Sequence, residues 1–243
     1  MWKRITRTCT KDIVKKTFVE FGCGPGRFLD VIRSRGGRAV GLELTQAADA
    51  ARENFAADPD VLIVQADIFH PPFKPGVFDG GYSIGVLHHT PDPPKGLMEL
   101  AKTIRSGGWT AISVYSKEGL YGFRSVENFR RLHLWLKPIL GYRFALAYSY
   151  FSAYLLAPLL NMARTLPHLG LRRFIDFLLQ NWIVALAGLP DRHWRLLDTF
   201  DAITPAIATA HTGEEVRQWM QAAGFIEISP TEWGDTSFKG VKP

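Results

Sequence analysis

The sequence has few cysteines and lacks an apolar leader. Its two cysteines, Cys9 and Cys23, are too few for a disulfide framework or a cysteine-based metal site, and we expect no bound metal. The N-terminus carries basic residues without the apolar core of a signal peptide, so we expect a cytoplasmic protein. Of the 243 residues, 47% are hydrophobic and 21% are charged. These ordinary proportions exclude wholesale disorder, collagen and coiled coil.

The net positive charge of the protein comes from one third of the chain. The formal net charge is +6, which alone would suggest a polyanion-binding protein. Between Lys117 and Arg195, however, there are 11 Lys and Arg against 4 Asp and Glu, whereas the remainder has 18 against 19. The same segment holds 14 of the 30 aromatic residues. The composition therefore predicts a near-neutral body joined to a basic, aromatic segment.

Short apolar runs alternate with helical patterns along the near-neutral part. We predict strands at 17–21, 38–43, 61–66, 78–83, 109–115, 225–229 and 237–241. We predict helices at 27–35, 45–57, 94–105 and 213–223, with Thr45 and Thr212 as N-caps and glycines after the last two. Strands that alternate with helices imply a parallel sheet covered on both faces. The expected division is an arm at 1–16, an α/β domain at 17–118 and 197–243, and a helical insertion at 119–196.

The strongest local signal is a glycine-rich turn between a strand and a helix. Residues 19–28 read V-E-F-G-C-G-P-G-R-F. Glycines at such a turn permit tight bends and let a ligand lie against bare backbone. The dinucleotide fingerprint needs a glycine where Arg27 stands, and a P-loop needs G-K-[ST], so neither is present. What remains is Glu20 placed two residues before G-x-G-x-G.

This pattern resembles motif I of the class I S-adenosylmethionine-dependent methyltransferases. Further signatures of that family follow in order: Glu43 at the second strand, Asp67 after the third, the fourth strand with its loop at 78–89, and Gly107-Gly108 before the fifth. The resemblance covers residues 17–116 well and 212–241 loosely. It implies a Rossmann-like three-layer sandwich, with a mostly parallel seven-stranded sheet, an antiparallel last strand and a helical insertion after strand 5.

The resemblance also implies S-adenosylmethionine as cofactor, bound at the carboxyl ends of the parallel strands. Glu43 would accept from the ribose hydroxyls, Asp67 from the adenine amino group, and Glu20 would face the methionine ammonium group. The residues implied to line the cofactor are Glu20, Gly22, Cys23, Gly24, Gly26, Arg27, Phe28, Glu43, Leu44, Asp67, Ile68, Ser83, Ile84 and Gly85. Each acid taken singly could equally be a solvated charge at a strand end.

Methyl transfer needs alignment, and it needs a base only if the acceptor carries a proton. His88 and His89 follow the fourth strand and are the candidate bases, although either could simply pack. Candidate substrate residues are His88, Tyr115, Asp201 and His211; the alternative for the last two is a solvated acid and the start of a helix. Asp92-Pro-Pro-Lys95 stands too far along the loop for an amino-methylating nucleic-acid enzyme, and no Pro-Cys nucleophile occurs.

The insertion shows no convincing strand, and we predict long apolar helices at 130–140, 144–160 and 172–187; its role allows several interpretations. Residues 144–163 form a run of 20 residues without a charge, the length of a membrane span, but its serines, tyrosines and proline count against one. The helices could form a lid over an apolar acceptor, a homodimer contact, or a basic surface for anionic lipid or nucleic acid; a solvated basic face is the plain alternative. We expect a lid that also supports a homodimer, because the arm at 1–16 is too short to cover the cofactor.

The sequence thus predicts a methyltransferase that acts on a small, apolar acceptor. An RNA or protein methyltransferase using the basic insertion, and a non-catalytic cofactor-binding or assembly subunit, are the alternatives. We expect no nucleic-acid partner, and contact with a membrane surface is a further hypothesis.

Overall fold

The computed structural model describes residues 4, 6, 12–165, 169–185 and 191–243. Cys9 and most of the predicted arm lie outside these residues. The chain divides into two compact units: residues 1–116 with 211–243, the α/β unit, and residues 117–210, the helical unit. The α/β unit therefore resumes at His211 and not at residue 197 as predicted. The reason is that the helix Arg192–Ile203 packs with other helices of the helical unit.

Strands and helices are numbered here in chain order. The strands are β1 (Thr17–Phe21), β2 (Arg38–Glu43), β3 (Val61–Gln65), β4 (Phe78–Ile84), β5 (Ile104–Ser113), β6 (Ile226–Pro230) and β7 (Ser237–Val241). The helices are α1 (Arg27–Arg33), α2 (Ala47–Asn54), α3 (Pro93–Thr103), α4 (Arg124–Leu140), α5 (Arg143–Phe151), α6 (Ala157–Thr165), α7 (Leu169–Asn181), α8 (Arg192–Ile203) and α9 (Gly213–Ala222).

The strands form one sheet in the order β3-β2-β1-β4-β5-β7-β6. β1 to β5 pair in parallel, and β7 runs antiparallel to both of its neighbours. Alternate residues of β1 enter different core clusters, with Val19 and Phe21 in one and Phe18 in the other, because successive side chains of a strand point to opposite faces. The predicted three-layer sandwich with a mostly parallel seven-stranded sheet is confirmed.

Two local predictions need correction. α3 ends at Thr103, and β5 begins at Ile104, so the strand runs through Gly107-Gly108 and does not start after these glycines. The N-cap residue of α2 is Gln46 and not Thr45, because the helix begins at Ala47. The Thr45 hydroxyl still accepts from the Ala47 amide at 3.2 Å, and it donates to Glu43 Oε1 at 2.7 Å. By contrast, Thr212 caps α9 as predicted, in a reciprocal capping box with Glu215.

The helical unit consists of α4 to α8 with short turns, and its described residues contain no strand. The predicted long helix at 144–160 is present as α5, a π-helical turn (Ser152–Leu156) and α6, joined without a break. The predicted helix at 172–187 is α7, which ends at Asn181; residues 186–190 lie outside the described part of the chain. Within the described ranges, no helix is long and apolar enough to cross a membrane.

Candidate functional site

The carboxyl ends of β1 and β2 are joined by a buried carboxylate. Glu43, the last residue of β2, accepts a hydrogen bond from the Gly24 amide through Oε2 at 2.9 Å. Its Oε1 accepts from the amide and the hydroxyl of Thr45, at 2.9 and 2.7 Å. Because these donors come from two different loops, Glu43 fixes the glycine turn against the end of β2 before any ligand binds.

The glycine turn has a backbone that favours glycine at three positions. Gly22, Gly24 and Gly26 have φ angles of +79°, +51° and +93°, in the left-handed region. A Cβ atom at Gly22 would come within 2.4 Å of the Val86 side chain, whereas one at Gly24 would meet no atom within 4 Å. The turn is therefore tight at its start and borders open space at its centre.

Glu20 lies beneath this turn and is only 1% exposed. Among the residues that the structure describes, its Oε2 has no hydrogen-bond partner. Burial raises the pKa of Glu20 well above its usual value; the Tyr82 hydroxyl opposes this rise and the nearby charge of Glu43 adds to it. A buried carboxyl group with an unused oxygen can accept a hydrogen bond or a cation brought by a ligand.

The ends of β3 and β4 complete the rim. Asp67 follows β3 with its side chain 41% exposed; its Oδ1 accepts from the Phe69 amide at 2.9 Å. Gly85 follows β4 with φ +77°, and a Cβ there would also meet nothing within 4 Å. Ser83, expected to line the cofactor, has a buried hydroxyl that donates to the Phe21 carbonyl at 2.9 Å. This hydrogen bond joins β4 to β1.

Some of the predicted residues belong to the core around the cleft. Phe28 and Ile68 are buried in two hydrophobic clusters, and Ile84 lies in the same cluster as Phe28. Cys23 is buried as well, and burial raises the pKa of its thiol to about 12, with the charges of Glu20 and Glu43 adding to the rise. Leu44, by contrast, is 61% exposed directly after Glu43, where it offers an apolar surface at the rim.

The predicted histidines gather around Tyr115. The His88 ring is fully buried and lies 3.6 Å from the Tyr115 ring, centroid to centroid; the half-buried His89 ring packs edge-on against Tyr115 at 5.2 Å. The His211 amide donates to the Tyr115 carbonyl at 2.8 Å, and its ring packs on Trp219. The structure thus brings four predicted substrate or catalytic residues together in the α/β unit.

Asp201 belongs to the other unit of the chain. It lies on α8 in the helical unit and is exposed. Arg27 is exposed at the start of α1, with its guanidinium 5.3 Å from the Phe28 ring. No group of His, Cys, Asp and Glu side chains that could hold a metal ion occurs in the described part of the chain.

Sequence reasoning missed three residues that shape the cleft. Val86 packs against Gly22, the hydroxyl of Thr45 binds Glu43, and the hydroxyl of Tyr82 lowers the pKa of the Glu20 carboxyl group. Thr45 could have been found, since a hydroxyl residue two places after a strand-end carboxylate can fold back on it. Tyr82 and Val86 reach the site through strand pairing and packing, for which the sequence carries no local signal.

The comparisons with known proteins agree with this geometry. The model of a methyltransferase domain family matches residues 19–112. A ubiquinone biosynthesis O-methyltransferase of Nitrosomonas europaea is 26% identical over 127 residues, 49% of this chain and 53% of that protein. A demethylmenaquinone methyltransferase of Desulfitobacterium hafniense is 29% identical over 115 residues, 44% of this chain and 46% of that protein. The chain thus spans about half the length of these curated relatives.

A solved structure shares the fold over the whole chain. A chain of the complex that contains the Haloferax volcanii Trm112 methyltransferase activator matches with a TM-score of 0.56 and 16% identity. The match covers 100% of this chain and 91% of that chain. At this identity the likeness concerns the fold alone.

Proposed function

We propose that this protein, whose residues 19–112 match a methyltransferase domain family, is a class I S-adenosylmethionine-dependent methyltransferase that transfers a methyl group to a small, apolar acceptor. The observation that carries the proposal is the open space against Gly24, bordered by a carboxylate at the end of each of the first two strands. Such a cleft at the carboxyl edge of a parallel sheet is where this architecture binds its ligands.

The residues present fit S-adenosylmethionine, the cofactor of this family. Bare backbone at Gly24 and Gly85 leaves room for a ligand, since a Cβ at either position would meet no atom within 4 Å. The unused Oε2 of Glu20 can accept a hydrogen bond from an ammonium group, whose positive charge would favour the ionised form of this buried carboxyl group. When bound, the cofactor supplies a methyl group on a sulfonium centre.

The chain's own residues would hold and align the reactants. Oε2 of Glu43 accepts one hydrogen bond, from Gly24, and keeps a second lone pair for a ribose hydroxyl. Asp67 Oδ1 accepts from the Phe69 amide, and Oδ2 lies 3.7 Å from His70 Nδ1; the remaining lone pairs of the carboxylate could accept from an adenine amino group. Fixing Glu43 beforehand through the donors of Thr45 lowers the ordering cost of binding.

We assign the base, where the acceptor carries a proton, to His89 in preference to His88. His88 is enclosed, and its ring packs on Tyr115, so it supports the shape of the pocket. His89 is half-buried and lies against the edge of the same tyrosine ring, so it can reach a ligand. A positioned histidine base contributes about 10²–10⁴-fold to turnover.

Two observations support an apolar acceptor. Val86, which packs against Gly22, places an apolar side chain at the rim of the cleft. Two relatives are named for ubiquinone biosynthesis and for demethylmenaquinone, and quinones are apolar ring compounds. The basic charge, which would favour RNA, lies in the helical unit, whereas the cleft itself is lined by acids.

Isothermal titration with S-adenosylmethionine and S-adenosylhomocysteine tests cofactor binding. We expect both to bind, Glu43→Ala to weaken binding at least tenfold, and Glu53→Ala, an exposed acid on α2, to bind like the wild type. No binding by folded protein, or equal affinities for the two variants, would refute the assigned site.

The acceptor class is tested by transfer of a radiolabelled methyl group to a cell extract. After reaction, the label is partitioned among an organic phase, RNA and protein. Label in the organic phase supports the proposal, and His89→Gln should lower this transfer without changing cofactor affinity. Label in RNA or protein supports the basic-insertion alternative. Binding without transfer to any fraction supports a non-catalytic subunit.

A further inference from the structure

One face of the continuous helix formed by α5, the π turn and α6 is exposed and apolar. Its exposed residues between 146 and 162 are Leu146, Ala147, Tyr150, Phe151, Tyr154, Leu155, Pro158, Leu159 and Met162. We call these nine residues the apolar stripe. The stripe is about 24 Å long at 1.5 Å per residue, and it contains no charged residue. Exposed apolar surfaces of this extent mark interaction sites.

The π turn keeps the stripe on one face. Its exposed residues recur as pairs every four positions, whereas an α-helix has 3.6 residues per turn. In an uninterrupted α-helix this pattern would drift around the axis by roughly 40° per turn. The wider turn at Ser152–Leu156, in the middle of the stripe, takes up the extra residue. The backbone irregularity therefore produces a single continuous apolar surface.

Basic side chains border the stripe. The Arg192 guanidinium lies 5.5 Å from the centroid of the Tyr154 ring. A shallow groove of about 390 Å³ beside the stripe is lined by Ala153, Tyr154, Pro158, Asp191, Arg192 and Arg195. The Asp191 carboxylate in this groove caps α8 by accepting from two backbone amides. We call Arg192 and Arg195 the basic edge.

We propose that the helical unit docks on the surface of a bilayer that contains anionic lipids. The apolar stripe would enter the headgroup region, and the basic edge would meet lipid phosphates. Helices that lie in the membrane interface combine an apolar, aromatic face with a basic rim in this way. Tyr150 and Tyr154 suit the interface because their rings are apolar and their hydroxyls stay hydrated.

The basic charge of this part of the chain favours an anionic bilayer over a second copy of the chain as the partner of the apolar stripe. The segment from Lys117 to Arg195 carries 11 basic against 4 acidic residues. A symmetric dimer pairs each patch with its own copy, so it would bring two basic surfaces together. An anionic bilayer is instead complementary to the basic edge beside the stripe. The inference does not depend on the identity of the methyl acceptor.

Vesicle co-sedimentation of the full chain tests the proposal. The vesicles are made of phosphatidylcholine alone or of phosphatidylcholine mixed with phosphatidylglycerol. We expect the protein to sediment with the mixed vesicles and much less with the neutral ones. Raised salt should weaken this binding, because the charged contacts are at the surface.

Two double variants separate the roles of the stripe and the basic edge. Leu155→Glu with Leu159→Glu should weaken binding to mixed vesicles about tenfold or more, since two exposed apolar side chains become charged. Arg192→Ala with Arg195→Ala should weaken binding to mixed vesicles about thirtyfold and change binding to neutral vesicles little. The control pair, Ala56→Glu with Ala57→Glu, makes the same charge change at exposed positions of the α/β unit and should bind like the wild type.

Circular dichroism and cofactor titration verify that each variant is folded. The proposal is overturned if the wild type ignores mixed vesicles, or if the stripe variant binds them as well as the control does. It is also overturned if light scattering reports a dimer that the stripe variant dissociates while vesicle binding stays absent; the stripe is then a contact between copies of the chain.

Discussion

Replacing Gly24 by alanine separates backbone strain from ligand exclusion. Gly24 has φ +51°, and its amide donates to Glu43. An L-residue in this conformation costs roughly 1–2 kcal/mol. Gly36, in the turn after α1, has φ +76°, and a Cβ there would meet only Val14, at 3.9 Å. Both positions can therefore accept a methyl group sterically, at a similar conformational cost.

The two alanine variants should lose similar stability but differ in cofactor affinity. At about 2–4 °C per kcal/mol for a chain of this size, each should lower the midpoint of thermal unfolding by roughly 2–8 °C. Only at Gly24 does the added methyl group enter the space assigned to the cofactor. We expect Gly24→Ala to raise the dissociation constant for S-adenosylmethionine more than tenfold, and Gly36→Ala to leave it unchanged.

Isothermal titration and thermal unfolding, carried out on both variants, check this prediction. If Gly24→Ala binds the cofactor as tightly as Gly36→Ala, the open space beside Gly24 does not hold the cofactor. If Gly36→Ala loses affinity equally, the loss reflects general destabilisation, and the assignment from geometry fails.

Three further predictions concern buried or capping groups. The folded state raises the pKa of Glu20 above 4.5, so the folded protein retains a proton that the unfolded chain releases, and this group's contribution to stability falls as the pH rises above 4.5. In urea unfolding, the free energy of unfolding of Glu20→Gln should therefore lack this fall. An equal dependence of that free energy on pH in the wild type and the variant would contradict the prediction. Replacing Cys9 by serine leaves Cys23 as the single cysteine of the sequence. Its buried thiol, with a pKa of about 12, should react with a thiol reagent only after unfolding, and rapid labelling of the folded protein would contradict this prediction. Thr212→Ala should lower the free energy of unfolding by about 1 kcal/mol, and Thr212→Ser should restore it; no loss would mean that the capping box is dispensable.

The succession of strands along the chain and the acids at their ends could be predicted from sequence, because both depend on local patterns. Glu43 and Asp67 each follow an apolar run, and parallel strands bring their carboxyl ends to one edge. The direction of a side chain at that edge is not local. Ser83 turns inward to the Phe21 carbonyl because β1 and β4 are neighbours in the sheet, although they are far apart in the chain.

The helical unit was less predictable for two physical reasons. α8 carries an ordinary amphipathic pattern, which does not reveal which unit its apolar face packs against. The predicted return to the α/β unit at residue 197 therefore precedes the observed one at His211. The π turn lies in an uncharged stretch in which the exposed positions are apolar and the buried ones include Ser149 and Ser152. Hydrophobic periodicity, the usual signal for the register of a helix, therefore does not mark the buried face there.

The contact between Tyr115, Ser116 and His211 bears on how far residues 117–210 can vary. Ser116 and His211 form a single parallel bridge, next to the hydrogen bond from the His211 amide to the Tyr115 carbonyl. The chain thus leaves the sheet unit and re-enters it at adjacent points. The entropic cost of closing a loop grows only slowly with its length, so a long insertion between two adjacent points costs little more conformational entropy than a short one. Residues 117–210 can therefore vary in length and composition, as an interchangeable module, without disturbing the strands on either side.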